Sequence, residues 1–592
     1  MNPTFVQRQE YFARQAANYQ QSFSIWATIR LVVFVGGGLG LYWSHDYFSL
    51  GIFLTSLFCW LIIFIIVISK HQAIRLLRDK NRILKEINTD ELERLAGRFL
   101  SKNTGQQFDE SVHFYSKDLD IFGAFSVFKL LNRTHTYAAG AMLANWLKQP
   151  SDLDDILARQ TACAELSPRI DFRQQLEATA LLNTKVAETT NGLLAWVKEP
   201  NHSKVNSFLY KTLRFLPLLT ISLILAWLFG YLPFTWAGLL LIVHSVILGP
   251  IFKDISKTID QTTQVAKALS AYSTLVQLTE KEQFTSLLLM AQQQKMNGSA
   301  MAIKQLGQIL TNLSYRQNVY FSLLVGLPSL WDLIYFSKLE NWRQIHRDQL
   351  PIWIEAIAQI EALNSLSGFA FANPKFVVPF IKKEDNTLKI KALGHPLLSE
   401  NQRVCNDLSF GEIGQTMILT GSNMSGKSTF QRTLAVNIIL AQMGAVVCAE
   451  AFECGQLQVF TSMRSQDSLE ENTSSFYAEL KRLKQLIELV EISNQKPVFY
   501  LLDEILKGTN SKDRHDGAKA LIMQLHKKNA FGIVSTHDVE LGDELDSEPF
   551  IENYSFYSEL KNDLLVFDYQ LRRGVCHSFN ASQLMKQVGI AI

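Results

Sequence analysis

Residues 421–429 read Gly421-Ser422-Asn423-Met424-Ser425-Gly426-Lys427-Ser428-Thr429, a complete GxxxxGK[ST] phosphate loop. The apolar run Met417-Ile418-Leu419-Thr420 leads into it, and Phe430-Gln431-Arg432-Thr433-Leu434-Ala435 continues as a helix, so the motif sits between a strand and a helix. Gly421 and Gly426 let backbone N–H groups turn inward onto phosphate oxygens, and the helix N-terminus adds partial positive charge. In this arrangement Lys427 is expected to neutralise the β- and γ-phosphates of ATP and Ser428 to ligate Mg²⁺, with Asn423 and Thr429 completing the nucleotide cradle.

Farther along, Pro497-Val498-Phe499-Tyr500-Leu501-Leu502-Asp503-Glu504 is an apolar strand ending in two carboxylates. Such a strand holds one carboxylate against the metal and points the next at an attacking water, which assigns Asp503 the Mg²⁺ role and Glu504 the general-base role. Phe531-Gly532-Ile533-Val534-Ser535-Thr536-His537-Asp538 is a third apolar run, and its terminal His537 is placed to bond the γ-phosphate or its water. Strands at 417–420, 498–502 and 531–535 predict the core of a mostly parallel sheet covered by helices.

The rest of the chain has a different character. Apolar residues are 47% and charged residues 19% of the 592, and the net charge of +2 supplies no global case for nucleic-acid binding. Six scattered cysteines lack zinc or disulfide spacing. Phe48–Ser69 holds 22 residues without charge, and Ile25–Trp43 is apolar apart from Arg30, whose long side chain can snorkel to headgroups. With a turn at Ser44-His45-Asp46 these form a first transmembrane hairpin. Between Arg214 and Lys253 lie 38 residues without Asp, Glu, Lys or Arg, enough for a second hairpin of two 17- or 18-residue helices turning near Gly230 and Pro233. Lys70, Arg75, Arg78, Lys80 and Arg82 follow the first hairpin, and Lys211, Arg214 and Lys253 flank the second. Both hairpins are therefore expected to open toward the cytoplasm, in an inner or plasma membrane, with the termini and the phosphate loop on that side. No signal leader is read at the N-terminus, which is expected to be retained. The uncharged residues 317–331 number only 15 and are read as a buried helix.

Helical spacing over 71–210 and 253–385 predicts long packing helices, and no Gly or Pro interrupts Asp254–Gln292. The resulting division is an N-terminal segment at 1–20, hairpins at 21–69 and 215–252, helical arms at 70–214 and 253–389, and an α/β domain at 390–592.

The loop with its Asn423-Met424 resembles that of the ATPase domain of the MutS mismatch-repair family, itself related to ABC-type ATPases. Ser422 and Ser425 stand where that family usually has proline and glycine. His395-Pro396, Ala441-Gln442-Met443-Gly444, Ser474-Ser475-Phe476 with Glu479, Asp503-Glu504-Ile505, Lys507-Gly508-Thr509 and Thr536-His537 extend the likeness. Asp120-Ile121-Phe122-Gly123, Leu131-Asn132-Arg133-Thr134, Trp146-Leu147 and Arg159-Gln160 look like the family's helical lever domain. The resemblance implies a C-terminal α/β ABC-type P-loop ATPase domain preceded by an all-α lever domain, here itself preceded and interrupted by transmembrane hairpins. It implies Mg²⁺-dependent ATP hydrolysis at a composite homodimer interface, with Ser474 touching the γ-phosphate held by the partner subunit. Asn472 replaces the usual glycine of that cross-subunit segment. The sequence ahead of residue 90 leaves no room for a mismatch-reading domain, and an apolar stretch stands where the DNA clamp is expected. Mismatch-specific recognition is therefore not expected, and membrane lipid is the expected surroundings of the hairpins. A DNA-binding repair or recombination ATPase with weak duplex affinity and an ABC-type transport ATPase stay open as alternatives, while Lys427, Ser428, Asp503, Glu504 and His537 together speak against an inactive scaffold.

Overall fold

A computed structural model of the chain describes residues 3–47, 50–100, 103–110, 112–182, 190–199, 213, 215–262, 265–383, 387–410, 413–422, 424–463, 475–492, 496–561 and 564–577. The chain is helical up to Ala372, and its strands begin at Phe380.

Two long helices, α1 (Pro3–Tyr47) and α2 (Leu50–Leu95), run side by side as a hairpin. At 1.5 Å per residue, 45 and 46 residues each extend roughly 68 Å, more than twice the roughly 30 Å of a hydrocarbon core. The distal portions present Leu31, Val32, Phe58 and Ile65 outward, each at least 60% exposed, a surface that only lipid or a partner covers favourably. The arms meet closely at Gly37: a Cβ there would lie 1.8 Å from Trp60 Nε1, which donates to the carbonyl of Val33 at 2.9 Å. Arg30 lies against His71, beside the end of the uncharged run, the level that snorkelling requires. The turn expected at Ser44–Asp46 is helical instead, and α1 continues to Tyr47. Residues 3–20 are the proximal part of α1 and pack on the helical body, where Phe5 is buried edge-on to Phe371 and Arg8 pairs with Asp171 at 2.7 Å.

The proximal end of α2 is bolted to the body by buried charge. Glu91 receives Arg133 Nε at 2.5 Å and Nη2 at 2.8 Å, while Arg133 Nη1 donates to the carbonyls of Leu130 and Leu131. The backbone N–H of Arg133 donates to Ser365 Oγ on the central helix Gln349–Ala372, and Glu361 of that helix accepts the N–H groups of His135 and Thr136. Gly368 leaves room for the guanidinium, since a Cβ there would stand 2.6 Å from Arg133 Nε.

Of the long helices expected over 71–210, residues 71–95 lie in the long α2, but those that follow are short: Val127–Leu131, Tyr137–Lys148, Leu153–Leu166, Ile170–Leu181 and Thr190–Lys198. Gly97, Gly105 and Gly123 take positive φ between α2 and the first of these, and Ser126 and Thr136 cap the helices that follow. The uninterrupted stretch Asp254–Gln292 also divides, with helices ending at Thr262 and Glu280 and restarting at Leu287. Glu165 makes the second break by accepting the N–H groups of Thr285 and Ser286, and Ser286 caps the new helix. Tertiary capping supplies a break that neither Gly nor Pro announces.

The second hairpin is asymmetric. Its arms are Leu216–Leu228, only 13 residues, and Thr235–Thr262, which is long and apolar enough to cross a bilayer, as are α1 and α2. Residues 317–331 are not a buried helix. They form a short helical turn, a π-turn at Ser322–Gly326 and a sharp bend before Trp331–His346, with Val319, Tyr320, Leu323 and Leu324 each more than 60% exposed.

Beyond Phe380 two sheets form. A four-stranded sheet has the order β1-β5-β2-β3, from β1 (Phe380–Ile381), β2 (Leu388–Leu393), β3 (Asn406–Phe410) and β5 (Ala451–Cys454). A six-stranded sheet has the order β10-β9-β4-β8-β7-β6, from β4 (Thr416–Gly421), β6 (Gln458–Ser462), β7 (Val498–Asp503), β8 (Phe531–Thr536), β9 (Ile551–Lys561) and β10 (Leu564–Arg573). All its pairings are parallel except β9 with β10. The expected trio of strands is adjacent as β4, β8 and β7. Their continuous Val/Ile/Leu character follows from burial on both faces.

Arg133→Ala leaves Glu91 charged and buried, and should cost about 3–5 kcal/mol of stability. Thermal unfolding of the detergent-solubilised chain measures this, and Glu91→Leu combined with Arg133→Met should recover most of the loss.

Candidate active site

Strand register assembles the site. β4, β8 and β7 run in parallel with Leu419 opposite Ser535 and Ser535 opposite Asp503, so the phosphate loop, the β8 terminus and the carboxylate pair emerge at one edge. Carboxyl ends of parallel strands are where open α/β sheets bind ligands.

The loop is shaped by positive φ at Gly421 (149°), Met424 (70°) and Gly426 (104°). At Gly421 a side chain would also collide, its Cβ 2.8 Å from the carbonyl oxygen of Phe556. Gly426 caps the helix Lys427–Gln442, whose first N–H groups face the loop. Lys427 is buried and folds back to donate to the carbonyls of Gly421 at 2.8 Å and Ser422 at 3.1 Å. Burial pulls its pKa down, and the nearby Glu504 and Asp503 carboxylates oppose that shift. Among the described residues the buried hydroxyls of Ser422 and Ser425 have no hydrogen-bond partner, which suits them to an incoming anion.

Ser428 Oγ donates to Asp503 Oδ2 at 2.6 Å, and Ser535 Oγ donates to Asp503 Oδ1. This hydroxyl–carboxylate pair is a hard oxygen set of the kind Mg²⁺ takes when phosphate and water fill its remaining positions. A dedicated protein cage is not required: among the described residues no group of three or more His, Cys, Asp or Glu side chains forms a metal cluster.

Glu504 follows at the strand end with φ 49°, its N–H bonded to the carbonyl of Ser535 at 3.0 Å. Its Oε1 lies 2.7 Å from His537 Nε2 and its Oε2 lies 3.0 Å from Lys507 Nζ. The hydrogen bond from His537, with Lys507 assisting, overcomes partial burial and lowers the Glu504 pKa to about 2. The carboxylate is therefore ionised across the physiological range.

Of the sequence-predicted residues, Gly421, Gly426, Lys427, Ser428, Thr429, Asp503, Glu504 and His537 come together at this edge. Asn423 and Ser474 lie outside the described residues. Sequence reasoning missed Ser535 as a partner of Asp503, although it stands two positions before His537, and it missed the electrostatic part of Lys507. It also missed an adjoining cavity of about 220 Å³, lined by His113, Tyr115 and Asp118 of the helical body together with Arg482, Asp503 and Glu504. There Asp118 Oδ2 accepts from Thr461 Oγ1 at 2.7 Å and from the N–H of Met463, and Arg482 donates to the carbonyl of Phe114 at 2.5 Å. Only the folded chain brings residues more than 340 positions apart into these bonds.

Sheet order, loop and carboxylate strand define a P-loop ATPase domain of the ABC type. Residues 417–590 match the family model described as MutS domain V. The chain is 31% identical over 247 residues to the DNA mismatch repair protein MutS of Chloroflexus aurantiacus, covering 40% of this chain and 25% of that protein. It is 32% identical over 254 residues to the DNA mismatch repair protein MutS of Flavobacterium psychrophilum, 41% of this chain and 29% of the relative. It is 28% identical over 303 residues to MutS protein homolog 4 of Mus musculus, 48% of this chain and 31% of the relative. The chain thus carries a MutS-family ATPase domain behind a helical region with candidate membrane spans. It spans between 25% and 31% of the length of these relatives.

The depressed Glu504 pKa carries a signed consequence. Its ion pair contributes stability above the ordinary carboxylate pKa, and that contribution is lost as pH falls toward about 2. His537→Ala removes the largest cause, so acidification through this window should lower the melting temperature less in the variant than in the wild type, as thermal melts across a pH series would show.

Proposed function

We propose that this chain is a membrane-anchored ATPase that hydrolyses ATP at the edge formed by β4, β7 and β8 and passes the resulting movement through its helical body to the hairpins. The convergence of Lys427, Ser428, Asp503, Glu504 and His537 carries the reading.

In this mechanism Lys427 exchanges the carbonyls of Gly421 and Ser422 for phosphate oxygens, and the N–H groups of the loop bind the remaining ones. Ser428 and Asp503 would hold Mg²⁺, which when bound neutralises phosphate charge. Ser535 holds the Asp503 carboxylate in place. Ionised Glu504 takes the proton of a water whose oxygen bonds to the γ-phosphorus. The bond from that phosphorus to the bridging oxygen breaks, and ADP keeps the electron pair. His537 orients Glu504 through the 2.7 Å contact.

The contacts of Asp118 and Phe114 with Thr461, Met463 and Arg482 supply a route from the site to the helical body. Resemblance to the family supports a head-to-tail homodimer in which Ser474 of each chain completes the other's site, and closed two-fold symmetry makes both contacts equivalent. The basic residues from Lys70 to Arg82 and Lys253 support an orientation with the ATPase domain on the cytoplasmic side. The relatives are named for DNA mismatch repair, and their coverage does not carry that activity to this chain.

Full-length protein in detergent with ATP and Mg²⁺ tests the reading. Lys427→Ala should abolish productive nucleotide binding, and Glu504→Gln should retain binding while slowing turnover by about 10²–10⁴-fold. Unchanged turnover in Glu504→Gln refutes the assignment of the base. The same variant with ATP should run as a dimer by mass measurement, and a strict monomer refutes the composite site.

A further inference from the structure

We propose that residues 317–331 form a re-entrant loop that dips into the bilayer beside the second hairpin and returns to the side it came from, with lipid acyl chains as its partner. The proposal rests on the reading that the 215–252 hairpin enters the membrane.

The base of the loop is closed by charge. Arg316 and Asp332 flank 15 uncharged residues and pair with each other at 3.4 Å, so the chain leaves and rejoins at one level. That level is the membrane surface by an independent mark: the Arg316 guanidinium lies 4.4 Å from the ring centroid of Phe252, next to Lys253 at the end of the uncharged hairpin. Aromatic rings cluster there, with Tyr315 against Phe321, Phe321 against Trp331 and Trp331 against Tyr335, as at a lipid–water boundary.

The tip lies deeper. His244 Nδ1 donates to the carbonyl of Leu327 at 2.8 Å, and its Nε2 accepts from Thr220 Oγ1 at 3.2 Å. His244 stands nine residues before Lys253 in one helix, roughly 13 Å farther along its axis and near the middle of a roughly 30 Å hydrocarbon core. Fifteen residues are too few to cross and enough to reach this depth and return.

Irregular backbone survives in lipid only if its polar groups are bonded within the protein. Here Asn318 caps Phe321, the N–H of Leu327 donates to Ser322, that of Ser329 to Val325 and that of Ile334 to Leu330. What remains outward is apolar: Val319, Leu323 and Leu324 are 67%, 61% and 75% exposed, as Ile242 of the hairpin is at 66%. His244 is the positioning residue of the loop.

Site-directed spin labelling of the full chain in lipid nanodiscs tests this. Cys59 and Cys405, the exposed cysteines, are replaced by Ser, and one label is placed at Leu324→Cys, Val319→Cys, Ile242→Cys or Met301→Cys. Ile242 marks the lipid face of the hairpin and Met301 the water-facing body. The ratio of collision rates with oxygen and with a water-soluble nickel chelate should be within about twofold for 324 and 242, and at least about fivefold higher at both than at 301, because oxygen partitions into hydrocarbon. Val319 should give the same result if the Leu324 label disturbs folding. A water-like ratio at 319 and 324 with a lipid-like ratio at 242 overturns the loop and leaves the hairpin standing. Water-like ratios at all three overturn both. His244→Leu should lower the ratio at 324 by at least about twofold while leaving 242 unchanged, because it removes the bond to Leu327. An unchanged ratio at 324 overturns the positioning role.

Discussion

A buried ion pair, Glu91 with Arg133, ties the rest of the molecule together. Neither group can be left alone in the interior, since an isolated buried charge costs several kcal/mol, so each dictates where its partner's element lies. Glu91 ends the long helix rising from the first hairpin, and Arg133 belongs to the segment that opens the helical body. Arg94, one turn farther along, repeats the constraint by donating to the carbonyls of Lys129, Leu130 and Asn132. Burial raises the cost of the Glu91 charge while Arg133 outweighs it, and the carboxyl stays below its ordinary pKa. A stalk with helices long and apolar enough to cross a membrane is thereby joined to a body that touches the ATPase domain.

The other end of that body reaches the site through hydrogen bonds to strand and helix ends, not through an apolar seam alone. Arg432, on the helix after the phosphate loop, pairs with Asp120 at 3.2 Å, and Arg159 donates to the carbonyl of Met443 at the end of the same helix. Polar contacts of this kind are directional, so a small change in their geometry alters their strength more than it would for apolar packing. The body thus grips the phosphate-loop helix at both ends.

Much of the site was legible because its chemistry is local. A phosphate loop needs its glycines, lysine and serine within nine consecutive residues, and an apolar run ending in Asp503-Glu504 declares a buried strand with charge at its exit. The helices long and apolar enough to cross a bilayer were legible for a similar reason, since a stretch of uncharged residues registers without knowledge of any contact. Residues 317–331 misled because 15 uncharged residues read alike whether they are covered by protein or face outward. The difference lies in the Arg316–Asp332 pair and in the bond from His244 to Leu327, which only folding makes.

By itself the sequence determined the identity of the phosphate loop, the strands that carry Asp503, Glu504 and His537, and the apolar lengths available to a bilayer, all set by periodicity and short-range spacing. Tertiary structure decided the order β4-β8-β7 that puts Ser535 on Asp503, the Lys507 and His537 contacts that keep Glu504 ionised, and the points where helices stop. Those depend on desolvated charges and capping groups far apart in the chain, such as Glu165 on the N–H groups of Thr285 and Ser286, and a pairing energy between distant residues leaves no periodic trace in either segment.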